Sequence, residues 1–409
     1  MTTDGTPRES PASGTRGRTL AFVVNTLTPY RIQSQLRFKH ELPGWNVKTY
    51  IHWDVSRNLW VFKDPPDIGL VTFEGAVDVS SFGTLAHLSG DWRTGGRIIE
   101  KLEQDRPAAV IACGYGYPAP LRVLLWCKRK RIPVFLWGDS NIHADNPSGL
   151  KGLVKQLGVP RVVKLFSAYL VCGGNGRLYY LRYGAAPDRI FPCPVEPDYS
   201  LIESATEHEL ADARAKLGLG PGRRRIVVCS RLVPVKAVDQ AIDAFAAIAA
   251  RRPDWELVIL GDGPLRAALE ARVPSSCLDR VIFAGFQDDQ RVVNAVYRQS
   301  DVLLHPATWE PWGVVILEAA AAGLAIVTTR VVGAALELAQ DGVNGRLVRP
   351  LDRRGLTRAL LDVTDAANID RYKRESRRLS AEFRREQDPV RGLAGALACV
   401  GLIKGGAAG

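Results

Sequence analysis

The sequence predicts an α/β protein built from two Rossmann-like, doubly wound domains that face each other across a cleft. Three observations lead there. Short β-branched runs alternate with amphipathic stretches along the whole chain. The runs are apolar at every position, as strands buried on both faces of a parallel sheet must be. There are too many of them for one open sheet, and 409 residues exceed one ordinary core.

In the first half, "TLAFVV" (19–24), "VKTYIHW" (47–53), "AAVIAC" (108–113), "PVFLWG" (133–138) and "AYLVCGG" (168–174) read as strands. In the second half the strands are "RIVVCS" (225–230), "WELVILG" (255–261), "VIFAGF" (281–286), "DVLLHP" (301–306), "AIVTT" (325–329) and "GRLVRP" (345–350). "AVDQAIDAFAAIAARR" and "LRAALEARV" between them carry helical periodicity. The domain boundary is expected near "FPCPVEPDYS" (191–200), whose three prolines cannot donate to a sheet ladder. Residues 1–17 are polar and read as a disordered tail. Residues 18–197 and 198–387 form the two domains. Residues 388–409 hold a C-terminal helix and a flexible "GGAAG" end, with the option of crossing back to the first domain. Ligands of such sheets sit outside the carboxyl ends of the strands, which places the site in the cleft.

Composition narrows the class. Hydrophobic residues at 46% and charged residues at 24% fit a globular protein. No apolar run reaches the ~18–20 residues that span a bilayer, and the N-terminus lacks an apolar signal core, so a cytoplasmic place is expected. None of the seven cysteines forms a CxxC pair, which argues for buried reduced thiols and against a zinc site. The formal charge of +11 suits anionic partners, either phosphorylated substrates or an anionic surface. "CKRKR" (127–131), "PGRRRI" (221–226) and "RYKRESRR" (371–378) carry much of it, each also readable as a solvated face.

The chemistry concentrates in "HPATWEPWGVVILEAAAAG" (305–323). A strand ends at His305, and a helix is expected from Trp312 or Gly313 to Gly323, a natural C′ residue. The free amides of Gly313, Val314 and Val315 then form an anion site suited to phosphate. Glu318 lies one turn deeper on the face of Val314, where a carboxylate can accept from a ribose diol. Glu310 sits in the preceding loop, within reach of a sugar hydroxyl beyond the phosphates. "SRLVPVKAVD" (230–239) follows a strand and brings Arg231 and Lys236 to the same sheet end, where fixed cations stabilise a departing diphosphate. "GDGP" (261–264) offers close backbone approach at Gly261 and Gly263, and Phe286 in "FAGF" can border a base. "QDDQ" (287–290) reads as a helix cap rather than a metal pair.

These residues resemble the retaining glycosyltransferases of the GT-B fold, in particular the large family-4 group (glycosyl transferases group 1). The resemblance rests on Glu310 and Glu318 in an E-x7-E pattern with an "EPWG" entry, on "RLVPVK", on "GDGP" and on "GLAIVTT…GAALELAQDGVNGRLV". It covers roughly 222–365 strongly and the first half by architecture. It implies a first domain for the acceptor and a second for a UDP-, GDP- or ADP-type sugar. Glu310 would touch the donor sugar, Glu318 the ribose, and Arg231 with Lys236 the diphosphate. The reaction would need no cofactor and no metal. It would pass through an oxocarbenium-like state, with the leaving phosphate taking the acceptor proton.

The first half departs from the family pattern. "NTLTPYRIQSQL" (25–36) has no Gly pair and offers Tyr30 and Arg31 on the acceptor side. Where many members carry a His, "FLWGDSN" (135–141) has Asp139, with His143 as the alternative. The stretch 149–166 sets Leu150, Leu153, Val154 and Leu157 beside Lys151 and Lys155, a pattern that fits either a core-facing helix or a helix lying on an anionic membrane. The acceptor is then a glycan, a glycolipid or a small molecule, in a cell-surface polysaccharide or glycolipid pathway. Two other functions compete. A nucleotide-sugar epimerase of like architecture needs acid/base groups at the sugar carbon. A non-enzymatic nucleic-acid binder leaves the glutamate pattern unexplained, and no nucleic-acid signature is present. No G-x-G-x-x-G follows the first strand, which disfavours a dehydrogenase.

Overall fold

The computed structural model describes residues 17–53, 67–73, 75–76, 84–145 and 149–404, together with side chains over most of that range. The expected tail, apart from residue 17, and the GGAAG end lie outside the described residues.

Two parallel sheets organise the chain. The first contains β1 (Arg18–Val24), β2 (Trp45–Ile51), β3 (Leu70–Val71), β4 (Ala109–Cys113), β5 (Val134–Gly138), β6 (Ala168–Val171) and β7 (Ile190–Pro192). Its order is β3-β2-β1-β4-β5-β6-β7. The second contains β8 (Arg224–Cys229), β9 (Trp255–Leu260), β10 (Val281–Gly285), β11 (Val302–His305), β12 (Ala325–Thr329) and β13 (Gly345–Val348), in the order β10-β9-β8-β11-β12-β13. All pairs are parallel; Leu20 lies between Val47 and Ala109, and Val302 between Ile226 and Ala325. The fold class expected from the sequence is the one found.

The apolar runs explain the sheets. Leu20, Phe22 and Val24 point to one core, which holds Phe38 and Trp137, and Ala21 and Val23 to another on the opposite face. The rings of Phe22 and Phe38 stack at 5.9 Å, with Trp137 edge-on at 6.0 Å to both. The second sheet repeats the arrangement, with Val227 and Val258 on one side and Ile226 and Val228 on the other.

Two strands escaped the sequence. β3 has two residues, too few for a periodic signal. β7 falls inside the stretch read as a boundary because of its prolines. It pairs with β6 as the outermost strand of its sheet, where Pro192 loses no inward ladder bond.

Each sheet reverses its strand order once, between β1 and β4 and between β8 and β11. The loops leaving these four strands therefore flank the crevices where such sheets hold ligands.

The chain passes between the sheets twice. Arg37 ties both passages together: its guanidinium donates to Glu196 at 2.5 Å, to Asp388 at 2.7 Å and to Glu41 at 2.7 and 2.8 Å. Burial pushes the Glu196 carboxyl up to about 7, against the pull of Arg37. The helix Pro389–Cys399 then packs on the first sheet. Its Gly392 lies against the Pro192 carbonyl so closely that a Cβ would collide with it. Leu393 on this helix is fully buried. Leu393→Ala should cost ~2–5 kcal/mol in the urea unfolding of the first domain; a change well under ~1 kcal/mol would mean that the helix adds nothing to that core.

Candidate active site

The loop after β8 turns through Pro234–Lys236 and leaves at Ala237 with a left-handed backbone, φ 50°. The loop after β11 lies against it, the Thr308 amide donating to the Val235 carbonyl at 2.8 Å. This pairing brings Lys236 to Glu310, and the ammonium donates to Oε2. His305 Nε2 stands 3.4 Å from the same oxygen. Burial alone would raise the Glu310 carboxyl, but the His305 imidazole and the Lys236 ammonium outweigh it and bring it down to about 2. Glu310 is therefore a fixed anion. Lys236 is engaged in holding it.

The helix Val314–Ala322 follows, between left-handed Gly313 (φ 89°) and Gly323 (φ 80°), so both ends lie where the sequence puts them. Glycine is required at 313. A Cβ there would sit 3.1 Å from Glu310 Cγ and 3.0 Å from Val332 Cγ1, at a φ that L-residues avoid. The Ala334 amide donates to the Trp312 carbonyl at 2.8 Å, and Gly333 packs against the Pro311 carbonyl. The entry to the helix is thus held from below. Val314 and Val315 form its first turn and are partly exposed.

Glu318 is fully buried. Its Oε1 accepts from the Tyr30 hydroxyl at 3.0 Å and from Gln290 Nε2 at 2.9 Å, and its Oε2 from the Tyr297 hydroxyl at 3.1 Å. Burial pushes the carboxyl up to about 7 despite these three donors. Tyr30, expected on the acceptor side, reaches across from the first domain to this carboxylate. It is placed there because the helix Pro29–Glu41 starts directly after the β1 loop, capped by Thr28.

A cavity of about 430 Å³ opens beside Glu318. Tyr30, Ser230, Arg231, Gly261, Gly263, Phe286, Gln290 and Val315 contribute to its wall. Among the described residues the Arg231 guanidinium makes no hydrogen bond or ion pair, so it is the available cation of the pair expected from the sequence. Among the described residues Ser230 Oγ and Gln290 Oε1 are buried without a partner, a costly state that a polar ligand would relieve. Gly261 and Gly263 have a further reason to be glycine: a Cβ would strike the Ser230 carbonyl and the Leu232 backbone. Phe286 is 38% exposed at the rim. Asp289 caps the helix Gln290–Arg298, as the QDDQ reading expected.

The opposite wall belongs to the first domain. Arg31, anchored by Nη1 to Asn25 Oδ1 at 2.8 Å, and Asp139 border a second pocket of about 380 Å³ with Tyr115, Tyr117 and Tyr180. Asp139 is exposed at the end of β5. His143 is exposed too, and its amide donates to Asn141 Oδ1 at 2.8 Å. Asn141 is the residue of this loop that crosses the cleft. Its amide nitrogen donates to the carbonyls of Pro311 and Val331 at 3.2 Å and of Glu310 at 3.4 Å. Sequence reasoning missed Asn141, Ser230, Gln290 and Tyr297. Their partners are far along the chain, and only the DSN and QDDQ contexts hinted at polar loop ends. Of the stretch 149–166, the helix Gly149–Val163 forms and Leu157 is 55% exposed; the side chains of Leu150, Lys151, Leu153 and Val154 lie outside the described residues. No helix among the described residues is long and apolar enough to cross a membrane.

Residues 223–365 match the family described as glycosyl transferases group 1, so the resemblance expected from the sequence holds over the second domain. A D-inositol 3-phosphate glycosyltransferase of Nocardia farcinica is 34% identical over 175 residues, 41% of this chain and 38% of that protein. A GDP-mannose-dependent alpha-(1-6)-phosphatidylinositol dimannoside mannosyltransferase of Mycobacterium tuberculosis is 38% identical over 110 residues, 27% of this chain and 28% of the other. The chain thus spans well under half the length of these curated relatives. Among solved structures, Anabaena Alr3699/HepE in complex with UDP and glucose superposes with a TM-score of 0.69 at 18% identity, covering 94% of this chain and 98% of that one. The UDP-forming alpha,alpha-trehalose-phosphate synthase of Burkholderia xenovorans superposes with a TM-score of 0.72 at 14% identity, covering 94% and 100%. These likenesses establish the GT-B fold for both domains.

The Glu318 carboxyl makes stability depend on pH. A carboxyl whose folded-state value is raised favours folding below its ordinary 4.5 and loses that contribution as pH rises through about 7. Glu196 acts in the same direction. Glu318→Gln should remove the Glu318 share, on the order of 3 kcal/mol, and flatten the fall in unfolding free energy between pH 5 and 8. Equal slopes for the two proteins would show that Glu318 carries no penalty for ionising.

Proposed function

We propose that this protein is a retaining glycosyltransferase that moves a sugar from a nucleoside diphosphate sugar to a hydroxyl acceptor. One observation carries the reading. Glu310, Lys236, Arg231 and Glu318 converge at the single strand-order reversal of the second sheet, beside a cavity with two buried polar atoms unpartnered. The group 1 match over the same residues supports it.

Each residue has work that follows from its surroundings. The diphosphate rests near the helix start at Gly313, Val314 and Val315, where free amides favour anions. Arg231 supplies unpaired positive charge to the leaving phosphates. Glu318 accepts from the ribose hydroxyls, which compete with the Tyr30 hydroxyl for its Oε1. Glu310, kept ionised, accepts from the donor sugar, and Lys236 holds it in position. The base lies towards Phe286. In the transition state the bond from the anomeric carbon to the β-phosphate oxygen breaks. The acceptor oxygen bonds to that carbon on the face being vacated, and its proton passes to the departing phosphate. The two carboxylates of this site bind and orient, and the leaving group serves as base. No metal is needed for this scheme, because Arg231 and the helix start balance the charge.

The acceptor enters from the first domain, at Arg31 and Asp139. A UDP- or GDP-linked sugar is the donor class favoured here: one structural neighbour was solved with UDP, another forms UDP, and a curated relative depends on GDP-mannose. All seven cysteines are free, which suits the reducing cytoplasm. The relatives named for glycosylating inositol phosphate and phosphatidylinositol dimannoside support a glycolipid or polysaccharide pathway.

A thermal-shift screen with UDP, GDP, ADP and dTDP tests the donor side. Ligand at 100 times its Kd should add ~2.7 kcal/mol to the bound form, seen as a rise of several degrees with one base; no rise with any nucleotide would contradict the proposal. Arg231→Ala should lower turnover ~10- to 150-fold, the loss of one charge-assisted contact of ~1.5–3 kcal/mol. Wild-type turnover in that variant would remove Arg231 from the site. Nucleotide release that proceeds without an acceptor, leaving an epimerised donor, would point to an epimerase instead.

A further inference from the structure

The pocket at Arg31 and Asp139 does not end at the cleft. Tyr115, Gly116 and Tyr117, which border it, also border an open groove of about 810 Å³ in the first domain. The groove has a different chemistry. Leu85, Leu88 and Trp92 line it from the helix Leu85–Asp105, and Leu121 lines it from the helix Pro118–Lys130.

Leu85, Leu88 and Trp92 stand at i, i+3 and i+7, on one helix face. That face is open: the three side chains are 85%, 44% and 42% exposed. The same helix buries His87, Asp91 and Thr94 on its inner side, so apolar residues point outward where polar ones are the norm. His52 and Asp91, both fully buried and 2.7 Å apart, pin the inner side, and Asp91 accepts from the Ala119 amide at 2.9 Å. The outward face is therefore fixed in place. Arg122 covers one edge, its guanidinium 5.3 Å above the Trp92 ring and bonded to the Trp92 carbonyl at 2.7 Å. A contiguous exposed apolar surface beside a polar pocket marks a binding site.

We infer that this groove holds the apolar chain of the acceptor, an amphiphile whose hydroxyl-bearing head occupies the pocket at Arg31 and Asp139. The inference rests on the glycosyltransferase reading. Continuity through Tyr115 to Tyr117 decides for an acceptor over any unrelated partner, because head and chain are then one molecule spanning two adjoining surfaces. The two tyrosines suit the junction, each offering an apolar ring and a polar tip.

The experiment compares n-octyl β-D-glucoside with methyl β-D-glucoside by calorimetry, below the concentration at which the octyl compound forms micelles. Each buried methylene strengthens binding, so the octyl compound should bind at least ~10-fold tighter. Leu88→Ser/Trp92→Ser should abolish that preference and leave the nucleotide thermal shift intact. Leu85→Ser, at a position too exposed to affect folding, should reduce the preference on its own. Equal binding of the two compounds, or a preference that survives in both variants, overturns the inference. So does a serine-sensitive affinity for phosphatidylglycerol vesicles without an octyl preference, which would make the face a membrane contact. A dimer in sedimentation that the serine variants dissociate would assign the face to a second copy of the chain and overturn it too. An octyl preference with no nucleotide shift would refute the acceptor role together with the glycosyltransferase reading, whereas a nucleotide shift without an octyl preference refutes the groove alone.

Discussion

A carboxylate that is wholly buried needs hydrogen-bond donors, and Glu318 draws its three from two helices, one in each domain. Tyr297 and Gln290 come from one helix of the second domain, near its end and at its start, and Tyr30 comes from the other domain. Meeting this requirement sets the helix Val314–Ala322 against the helix Gln290–Arg298 and draws the start of the helix Pro29–Glu41 across the cleft. Even so, burial outweighs the three hydrogen bonds and the carboxyl is pushed up to about 7. Glu310, eight residues earlier, has the opposite fate because a lysine and a histidine adjoin it. Two glutamates on one loop and helix thus differ in charge state for reasons that lie in their neighbours.

The loops around these carboxylates are close-packed backbone, and this explains their glycines. Gly261 and Gly263 let the loop after β9 lie on the loop after β8, and Gly313 and Gly333 let the helix entry lie on the chain after β12. A ligand in the cavity therefore meets a surface already fixed by packing, a condition that lowers the ordering cost of binding. Polar and apolar contacts both cross the cleft, and Cys172 of the first domain packs in the core of the second. Besides Tyr30, the polar ones include Asn141 on three carbonyls, the Gly174 amide on Glu337 at 2.7 Å and the Trp312 indole on the Val195 carbonyl at 2.8 Å. Such contacts hold the two domains in register.

What could be read from the sequence was what local pattern encodes. Runs of β-branched residues announced the strands. Gly313 and Gly323 bounded their helix, and Asp289 announced a cap, because backbone sterics and orphan amides act within a few residues. The two short strands β3 and β7 were missed, one for its length and one because edge placement excuses its proline. Within the candidate site, the convergence of Glu310, Lys236, Arg231 and Glu318 was legible from strand ends and order. Their partners were not. Lys236 pairs with Glu310 across 74 residues and Tyr30 with Glu318 across 288, and no local rule reaches that far. The same distance hid Asn141, whose role depends on carbonyls 169 to 190 residues away.

We propose that the Glu318 carboxylate is the nucleotide's partner and that the Tyr30 hydroxyl, which donates to its Oε1 at 3.0 Å, competes with the ribose for that oxygen. Calorimetric nucleotide affinities for the wild type, Tyr30→Phe, Glu318→Gln and the double variant test it directly. Tyr30→Phe should bind the nucleotide ~2- to 10-fold tighter, the release of one hydrogen bond, and this gain should vanish in the Glu318→Gln background. Weaker binding by Tyr30→Phe, by the same factor in both backgrounds, would contradict it.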